Sequence, residues 1–582
     1  MSQSTLTQSL HTSKAIITCW LVFFLSPLFW PNILDSYIAM DLLAFVTALI
    51  AAAVMATNQD QNIQTNSTMA WIFFALLIIP ICIQLLFMDL RNPWRAWQMA
   101  LYIASSWLIF RMSGASAAQL IGSANWKILL ACIGNFYVVF AVAQQFQLPF
   151  TPGFELFPIW QDYPSHYAGV LLQTNMQGLF LILVCTALWS ECNKAQRYLP
   201  WLIASILPCA GLLATSSRSS SILLVLAVTM LLFISKQKTT LCIKILSTIV
   251  IAFCIVSYWH AFPASDIPTL FNRFETTGTQ IRLLIWDMST RLFLEHIWLG
   301  IGAGNLISYG TEILIPSLLQ HPEWAEIAST QLSGGNLWAH NSLLQFLLEW
   351  GIAGGIAIIG LMIMIGKKCW DIYLDQEFNI ESGQTQAGLG LILMTTQSMV
   401  SVALLQGFFL VLFALYAAAL FTKARVHNVK TTPPLSIALL LLPAIFLAYN
   451  WQWFTFTLFT AEKNINQSIQ TESFIQPMAI AIDSPWSSRA ALQWYFLKLQ
   501  TTNASNNTWI GSENLAFRYW FQHQSSQSLR YRILIAHLKD DIFTEKYLIE
   551  LHNQAYPTLE VSQKLTNHVT LGHKQGEQIE IW

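Results

Sequence analysis

Charge is what this sequence has least of. Only 10% of its 582 residues are Asp, Glu, Lys or Arg, against 55% hydrophobic, and the mean hydropathy is +0.50. A soluble domain carries about 25% charged residues, so a chain this long and this uncharged cannot cover a surface facing water. A bundle of helices, each closing its own backbone hydrogen bonds, can satisfy lipid instead. The net charge of −1 excludes the basic surface that nucleic acid requires. The nine cysteines show no metal-ligand spacing, and none falls in the polar stretches 261–341 and 459–582. They read as small apolar packing residues, not as a disulfide framework. Low-complexity tracts and internal repeats are also missing. No small-residue cleavage site follows Lys14 and the apolar run behind it, so the start of the chain reads as a first span and not a removable signal.

What is present is a series of apolar runs, many flanked by members of a set of 24 tryptophans, as in an interfacial aromatic belt. A membrane helix needs about 20 mostly apolar residues. Runs at 15–34, 37–57, 69–89, 97–113, 127–146, 169–190, 200–215, 219–235 and 241–260 are followed, after a polar interval, by 342–365, 386–404, 406–422 and 435–458. The least distinct boundary is the split inside 386–422. Lys194, Arg197, Lys236, Lys238, Lys367, Lys368, Lys423, Arg425 and Lys430 all follow even-numbered spans, whereas the loop 147–168 has no Lys or Arg. Short cytoplasmic loops concentrate such residues, which puts the N-terminus inside and the C-terminus outside. The expected fold is all-α, a polytopic bundle of twelve or thirteen spans. Its parts are an N-terminal bundle at 1–260, a long extracytoplasmic loop at 261–341, further spans at 342–458 and a small, mainly helical extracytoplasmic domain at 459–582. The loop is too long for a plain connection, which points to function.

Polar groups at a membrane edge each need a reason, and four groups stand out. Arg218, in Thr215-Ser216-Ser217-Arg218, sits in the turn between the seventh and eighth spans. It either snorkels to headgroups or clamps an anion with the help of neighbouring hydroxyls and a helix N-terminus. The loop carries Arg273, Arg282, Trp286 and Arg291. Nine residues are two and a half helical turns, so successive arginines point to opposite faces and no single basic stripe is implied. Arg91 and Arg95 are candidates for the same basic rim. His340 closes the loop, followed by Asn341 or Ser342 as the N-cap of the tenth span, with Glu349 about 12 Å further along that helix. At that depth a carboxylate should face the bundle and find a partner. His340 is either structural or an acid–base group at the water–lipid boundary. Finally, Gln173, Asn175 and Gln177 cluster at the start of the sixth span, for interhelical bonding or for recognition of a polar ligand.

Together these features resemble the O-antigen ligase and O-oligosaccharyltransferase superfamily. The resemblance rests on His340-Asn341-Ser342-Leu343-Leu344-Gln345 through Glu349-Trp350-Gly351, on Thr215, Ser217 and Arg218, and on Arg282 and Trp286 followed by the glycine-rich Gly300-Ile301-Gly302-Ala303-Gly304-Asn305. Gln173-Thr174-Asn175 and the polar C-terminal stretch resemble the protein-glycosylating, pilin-type branch. A His-Ser-x-x-Glu-Tyr-Pro segment of that branch is replaced here by Gln397-Ser398-Met399-Val400-Ser401-Val402-Ala403, which marks a divergent member.

The resemblance implies an enzyme of the bacterial inner membrane with its chemistry at the periplasmic face. Such an enzyme transfers a glycan en bloc from an undecaprenyl-type polyprenyl-diphosphate carrier to a Ser or Thr hydroxyl of an exported, pilin-like protein, without metal or cofactor. It implies His340, Arg282 and Arg218 as catalytic groups. Asn341, Glu349, Gln173, Asn175, Arg273 and Trp286 are then the substrate-binding candidates. Transfer to a lipid A core, polymerisation of a lipid-linked repeat, and a non-catalytic transporter are the alternatives. A transporter would place its ionisable residues and broken helices near the bilayer midplane, whereas here they collect at one edge.

Overall fold

The computed structural model describes residues 3–26, 36–57, 67–145, 171, 173–193, 198–260, 277–332, 338–374, 382–421, 512–522, 524–559 and 561–562. Every regular element among them is helical. Nine helices form the first part: α1 (Gln3–Leu25), α2 (Ser36–Thr57), α3 (Ser67–Phe87), α4 (Pro93–Gly122), α5 (Ala124–Gln145), α6 (Thr174–Glu191), α7 (Leu199–Ala214), α8 (Arg218–Ile234) and α9 (Lys238–His260). The former loop contains α10 (Thr277–Glu295), α11 (Gly310–Gln320) and α12 (Ala325–Gln331). Then come α13 (Ser342–Leu374), α14 (Gly383–Ser398) and α15 (Gly407–Phe421). The C-terminal part supplies α16 (Glu513–Gln522), α17 (Ser526–Leu538) and α18 (Ile542–Ala555).

Among the described residues, helices cover the expected apolar runs as far as 421, apart from a few residues at run ends such as the turn at 88–89, while 27–34, 146, 169–170, 172, 422 and 435–458 lie outside the described residues. The uncertain split falls between α14 and α15, where the short 3-10 turn Ala403–Leu405 separates them. Three helical stretches are long and apolar enough to cross a membrane: Ala124–Ala143, Lys238–Trp259 and Ser342–Leu374. Six more are apolar but shorter, among them Trp71–Phe87 and Gly407–Phe421. The interior has a large aromatic cluster, with Phe23, Phe24, Phe180 and Phe408 packed around Trp20 and Trp126. One charged pair is buried there, Lys127 on α5 with Glu191 on α6. A lone charge in that medium would cost several kcal/mol, and pairing makes it tolerable.

A second core lies beside the first. It joins Leu284, Ile285, Met288 and Leu292 of α10 to Ile313 and Leu314 of α11, and both to Leu529, Ile533 and Leu548 of the C-terminal helices. The stretches 261–341 and 459–582, separate in the sequence reading, therefore share one hydrophobic interior. Gln524 fastens them. Its backbone amide donates to the Ile307 carbonyl at 3.1 Å, and its side chain meets both the Glu312 amide and the Glu312 carboxylate. Arg91 completes the clasp, bidentate to Glu312 at 2.7 and 2.9 Å and 3.9 Å above the Tyr309 ring.

The two cores meet at a break in α13. Gly351 has φ +66°, and the chain of α13 opens there to accept the glycine-rich turn that follows α10. The Ile301 amide donates to the Leu348 carbonyl, and the Ile352 amide to the Ile297 carbonyl. A Cβ on Gly351 would stand 2.2 Å from the Trp298 carbonyl oxygen, and one on Gly300 (φ +69°) 2.5 Å from the backbone of Glu349. Left-handed strain alone costs about 1–3 kcal/mol. Gly351→Ala and Gly300→Ala should therefore each lower the unfolding temperature by several degrees. In Gly366→Ala the new methyl meets nothing within 4 Å, so that variant should be neutral or slightly more stable. Thermal unfolding of the three in detergent makes the comparison.

Candidate active site

Two helix starts build the site, and they are made in the same way. Ser216 and His340 both take left-handed backbone, φ +49° and +50°. Each is followed by a capping residue and then by a helix. Ser217 accepts from the Ser220 amide and starts α8; Asn341 accepts from the Leu344 amide at 3.1 Å and starts α13. A polar cap of this kind contributes about 0.5–2 kcal/mol, which helps to hold a residue type that rarely adopts positive φ. The result is that Arg218 opens α8 as its first residue, and His340 stands just ahead of α13.

Arg282 of α10 joins them. The Arg282 guanidinium is held below its ordinary value by burial and then by the charge of Arg218. Burial, and then Arg282, push the His340 imidazole down to about 4. Arg282 thus stands close enough to Arg218 on one side and His340 on the other for their charges to interact. Among the described residues neither Arg282 nor His340 has a carboxylate partner. Arg218 donates to the Thr279 hydroxyl at 3.0 Å, linking α8 to the start of α10. Arg218 and Arg282 together give this end of the bundle a positive charge, which favours an anion.

The surrounding candidates divide into holders and facers. Trp286 donates its indole N–H to the Ala339 carbonyl at 3.0 Å, so it fixes the turn that carries His340. The Ala339 amide in turn donates to Gln345, and Gln345 to Glu349 at 2.6 Å. Glu349 is fully buried, and its oxygens also accept from the amides of Gly304 (2.8 Å) and Leu306 (3.4 Å). It does face the bundle and find partners, as expected from its depth. Those partners tie its carboxylate to the glycine-rich turn, which it places. Gln84 of α3 braces the same junction, donating to the Leu299 and Glu349 carbonyls and accepting from the Ala303 amide.

Asn175 sits against the cap of α8. Its Oδ1 accepts from Ser217 Oγ at 2.6 Å and Ser219 Oγ at 3.1 Å, which leaves its NH2 on the side away from the hydroxyls. Gln397 of α14 donates to Ser219 Oγ at 3.1 Å, and Ser342 Oγ donates to the Ser401 carbonyl at 3.1 Å. The segment 397–403, which departs from the motif of the protein-glycosylating branch, therefore lies at this site all the same. Gln173 occupies the N-cap position of α6 and makes no capping bond with its side chain. Gln177, its neighbour in the amide cluster, is buried in α6.

Arg273 lies outside the described residues. Arg291 pairs with Asp287 at 2.7 Å and reaches Gln320, a set of partners separate from those of Arg282, as the nine-residue spacing requires. Arg91 and Arg95 do not join the basic rim. Arg91 is spent on Glu312, and Arg95 is buried, bonded to Gln98 at 3.1 Å and packed under Gly304.

Arg218, Arg282 and the neutral His340 imidazole thus gather at one end of a frame of apolar helices. Residues 203–359 match the family model described as O-antigen ligase, a span that runs from α7 into α13 and includes Arg218, Arg282, His340 and Glu349. The match supports a likeness to the O-antigen ligase superfamily over those residues, and the apolar helices fit an integral membrane protein. No curated protein matches the chain.

Proposed function

We propose that the protein transfers a glycan en bloc from a polyprenyl-diphosphate carrier to a Ser or Thr hydroxyl of an exported protein such as a pilin. The reaction takes place at the periplasmic face of the bacterial inner membrane. The observation that carries this reading is the convergence of Arg218, Arg282 and His340 at the starts of α8 and α13.

The acceptor oxygen forms a bond to the anomeric carbon while the bond from that carbon to the diphosphate oxygen breaks. The diphosphate leaves with the electron pair, and its charge is met by Arg218 and Arg282. The acceptor proton passes to the imidazole of His340. That imidazole is neutral and weakly basic because it is buried and, second, because Arg282 lies beside it. A bound diphosphate offsets the arginine charge and raises its basicity when the proton must be taken. Asn175, with its NH2 free of the hydroxyls, is placed to donate to the glycan or the acceptor. A donor whose tail stays in the bilayer accounts for a sugar enzyme made of apolar helices.

Among the described helices, Lys236 follows α8, and Lys367 and Lys368 fall near the far end of α13, remote from His340. That arrangement favours a cytoplasmic location for those ends and a periplasmic one for the site. The packing of α17 and α18 onto α10 and α11 favours a docking surface for a protein acceptor near Arg282. The second reading, ligation to a lipid A core or polymerisation of a lipid-linked repeat, is favoured by the description of the matched family. Intact-mass analysis of exported proteins from cells with and without the chain decides. The loss of one glycan mass from a protein supports the first reading; unchanged proteins with altered surface glycolipid establish the second.

The pH dependence follows from His340. The kcat/KM of the free enzyme reports its essential base. With His340 at about 4, activity should stay level from pH 8 to about pH 5, where an imidazole of ordinary pKa would already have lost most of its activity. Arg282→Gln removes the charge that disfavours protonation, so its acid limb should shift towards higher pH, with a residual rate.

A further inference from the structure

Far from the site, α3, α4, α13 and α15 enclose a cavity of about 160 Å³ lined by Phe73, Ser106, Trp107, Leu361, Met364 and Phe413 among others. Helices α4, α13 and α15 all begin at the site end of the bundle. At 1.5 Å per residue, Leu361 and Met364 of the cavity lie roughly 30–36 Å from His340 along α13. The cavity is therefore separate from the reaction centre.

Its walls are apolar with one exception. The Ser106 hydroxyl, on a residue 8% exposed, and the Trp107 indole N–H are shut off from solvent and have no hydrogen-bond partner among the described residues. An unmet donor in such a place costs about 1–3 kcal/mol, so two of them side by side call for a ligand that accepts. One turn further from the site on α4, the Arg111 guanidinium stands 6.0 Å from the Trp107 ring. On α13, Lys368 shares a helical face with the cavity-lining Leu361 and Met364, four residues beyond Met364. Both cations lie past the same end of the cavity.

We propose that this cavity is a binding site for an anionic glycerophospholipid of the surrounding bilayer. One acyl chain fills the apolar slot, the ester carbonyls accept from Ser106 and Trp107, and the phosphate lies between Arg111 and Lys368. Ester oxygens only accept, which is what two orphaned donors need. Two cations at the mouth select an anionic headgroup, each basic side chain near a membrane surface strengthening binding about fivefold.

The test is native mass spectrometry of the purified full-length protein titrated with dioleoylphosphatidylglycerol or dioleoylphosphatidylcholine. The phosphatidylglycerol adduct should form at least tenfold more tightly. Arg111→Gln with Lys368→Gln should remove that preference, while Ser106→Ala with Trp107→Phe should weaken both lipids alike. Ala417→Phe fills the slot without touching either cation and should abolish the adduct, with circular dichroism confirming the fold of each variant. Equal binding of the two lipids, or a preference that survives loss of both cations, would overturn the proposal. So would displacement of phosphatidylglycerol by equimolar polyprenyl phosphate, which would make the occupant an isoprenoid carrier.

Discussion

Replacing His340 with alanine should reduce glycan transfer by about 10²–10⁴-fold, the range of a positioned acid–base group, with the protein still folded and the lipid-linked donor still accumulating. The structure supplies a sharper version of this experiment. His340 holds left-handed backbone at φ +50°, a conformation that glycine adopts without strain and histidine does not. His340→Gly should therefore inactivate the enzyme as fully as alanine does, yet raise its unfolding temperature above that of the parent. His340→Asn, tolerant of the same backbone, should be as stable and equally inactive. If His340→Gly both unfolds more easily and retains transfer, the imidazole is a structural plug and not a catalytic group.

The second large effect concerns the arginines. Arg218→Lys and Arg282→Lys keep the charge but lose the planar fork that can hold two phosphate oxygens at once. Each should lower kcat by about 10²–10³-fold, the usual cost of removing one preorganised donor from a developing anion. The two differ in a second respect. Arg282 lies against His340, so removing its charge in Arg282→Gln should also move the acid limb of the rate profile, while Arg218→Gln should affect rate more than pH dependence. Steady-state kinetics with a reconstituted lipid-linked donor separate them. Full activity in both lysine variants would leave only a simple requirement for positive charge.

The parts of this architecture that were legible in the sequence share a physical cause. Apolar runs announce themselves because lipid leaves no alternative partner for the backbone, so among the described residues helices stand over the predicted runs as far as 421. Arg218 and His340 were visible because each is a polar token at the border of such a run, with its capping residue next to it. What the sequence hid are the contacts between distant residues. Gln84 meets the Glu349 carbonyl across 265 positions, and nothing in the neighbourhood of either residue encodes the other. The union of α10 and α11 with α17 and α18 was hidden for the same reason. Amphipathic stretches show that a face must be covered but not by what. Glu349 was legible as a buried carboxylate needing partners, but not as the anchor of the glycine-rich turn. That role depends on the break at Gly351, and a single glycine in a long apolar run gives little warning of one.

The central claim is that one site, made by Arg218, Arg282 and His340, moves a glycan from diphosphate to hydroxyl. It is tested most directly in proteoliposomes holding the purified full-length protein, a polyprenyl-diphosphate oligosaccharide and a Ser-containing exported protein. Free polyprenyl diphosphate and glycan-bearing acceptor should appear in equal amounts with the parent protein, and neither should appear with His340→Gly. Release of polyprenyl diphosphate at an undiminished rate by that variant, or glycan transfer without its release, would contradict the account.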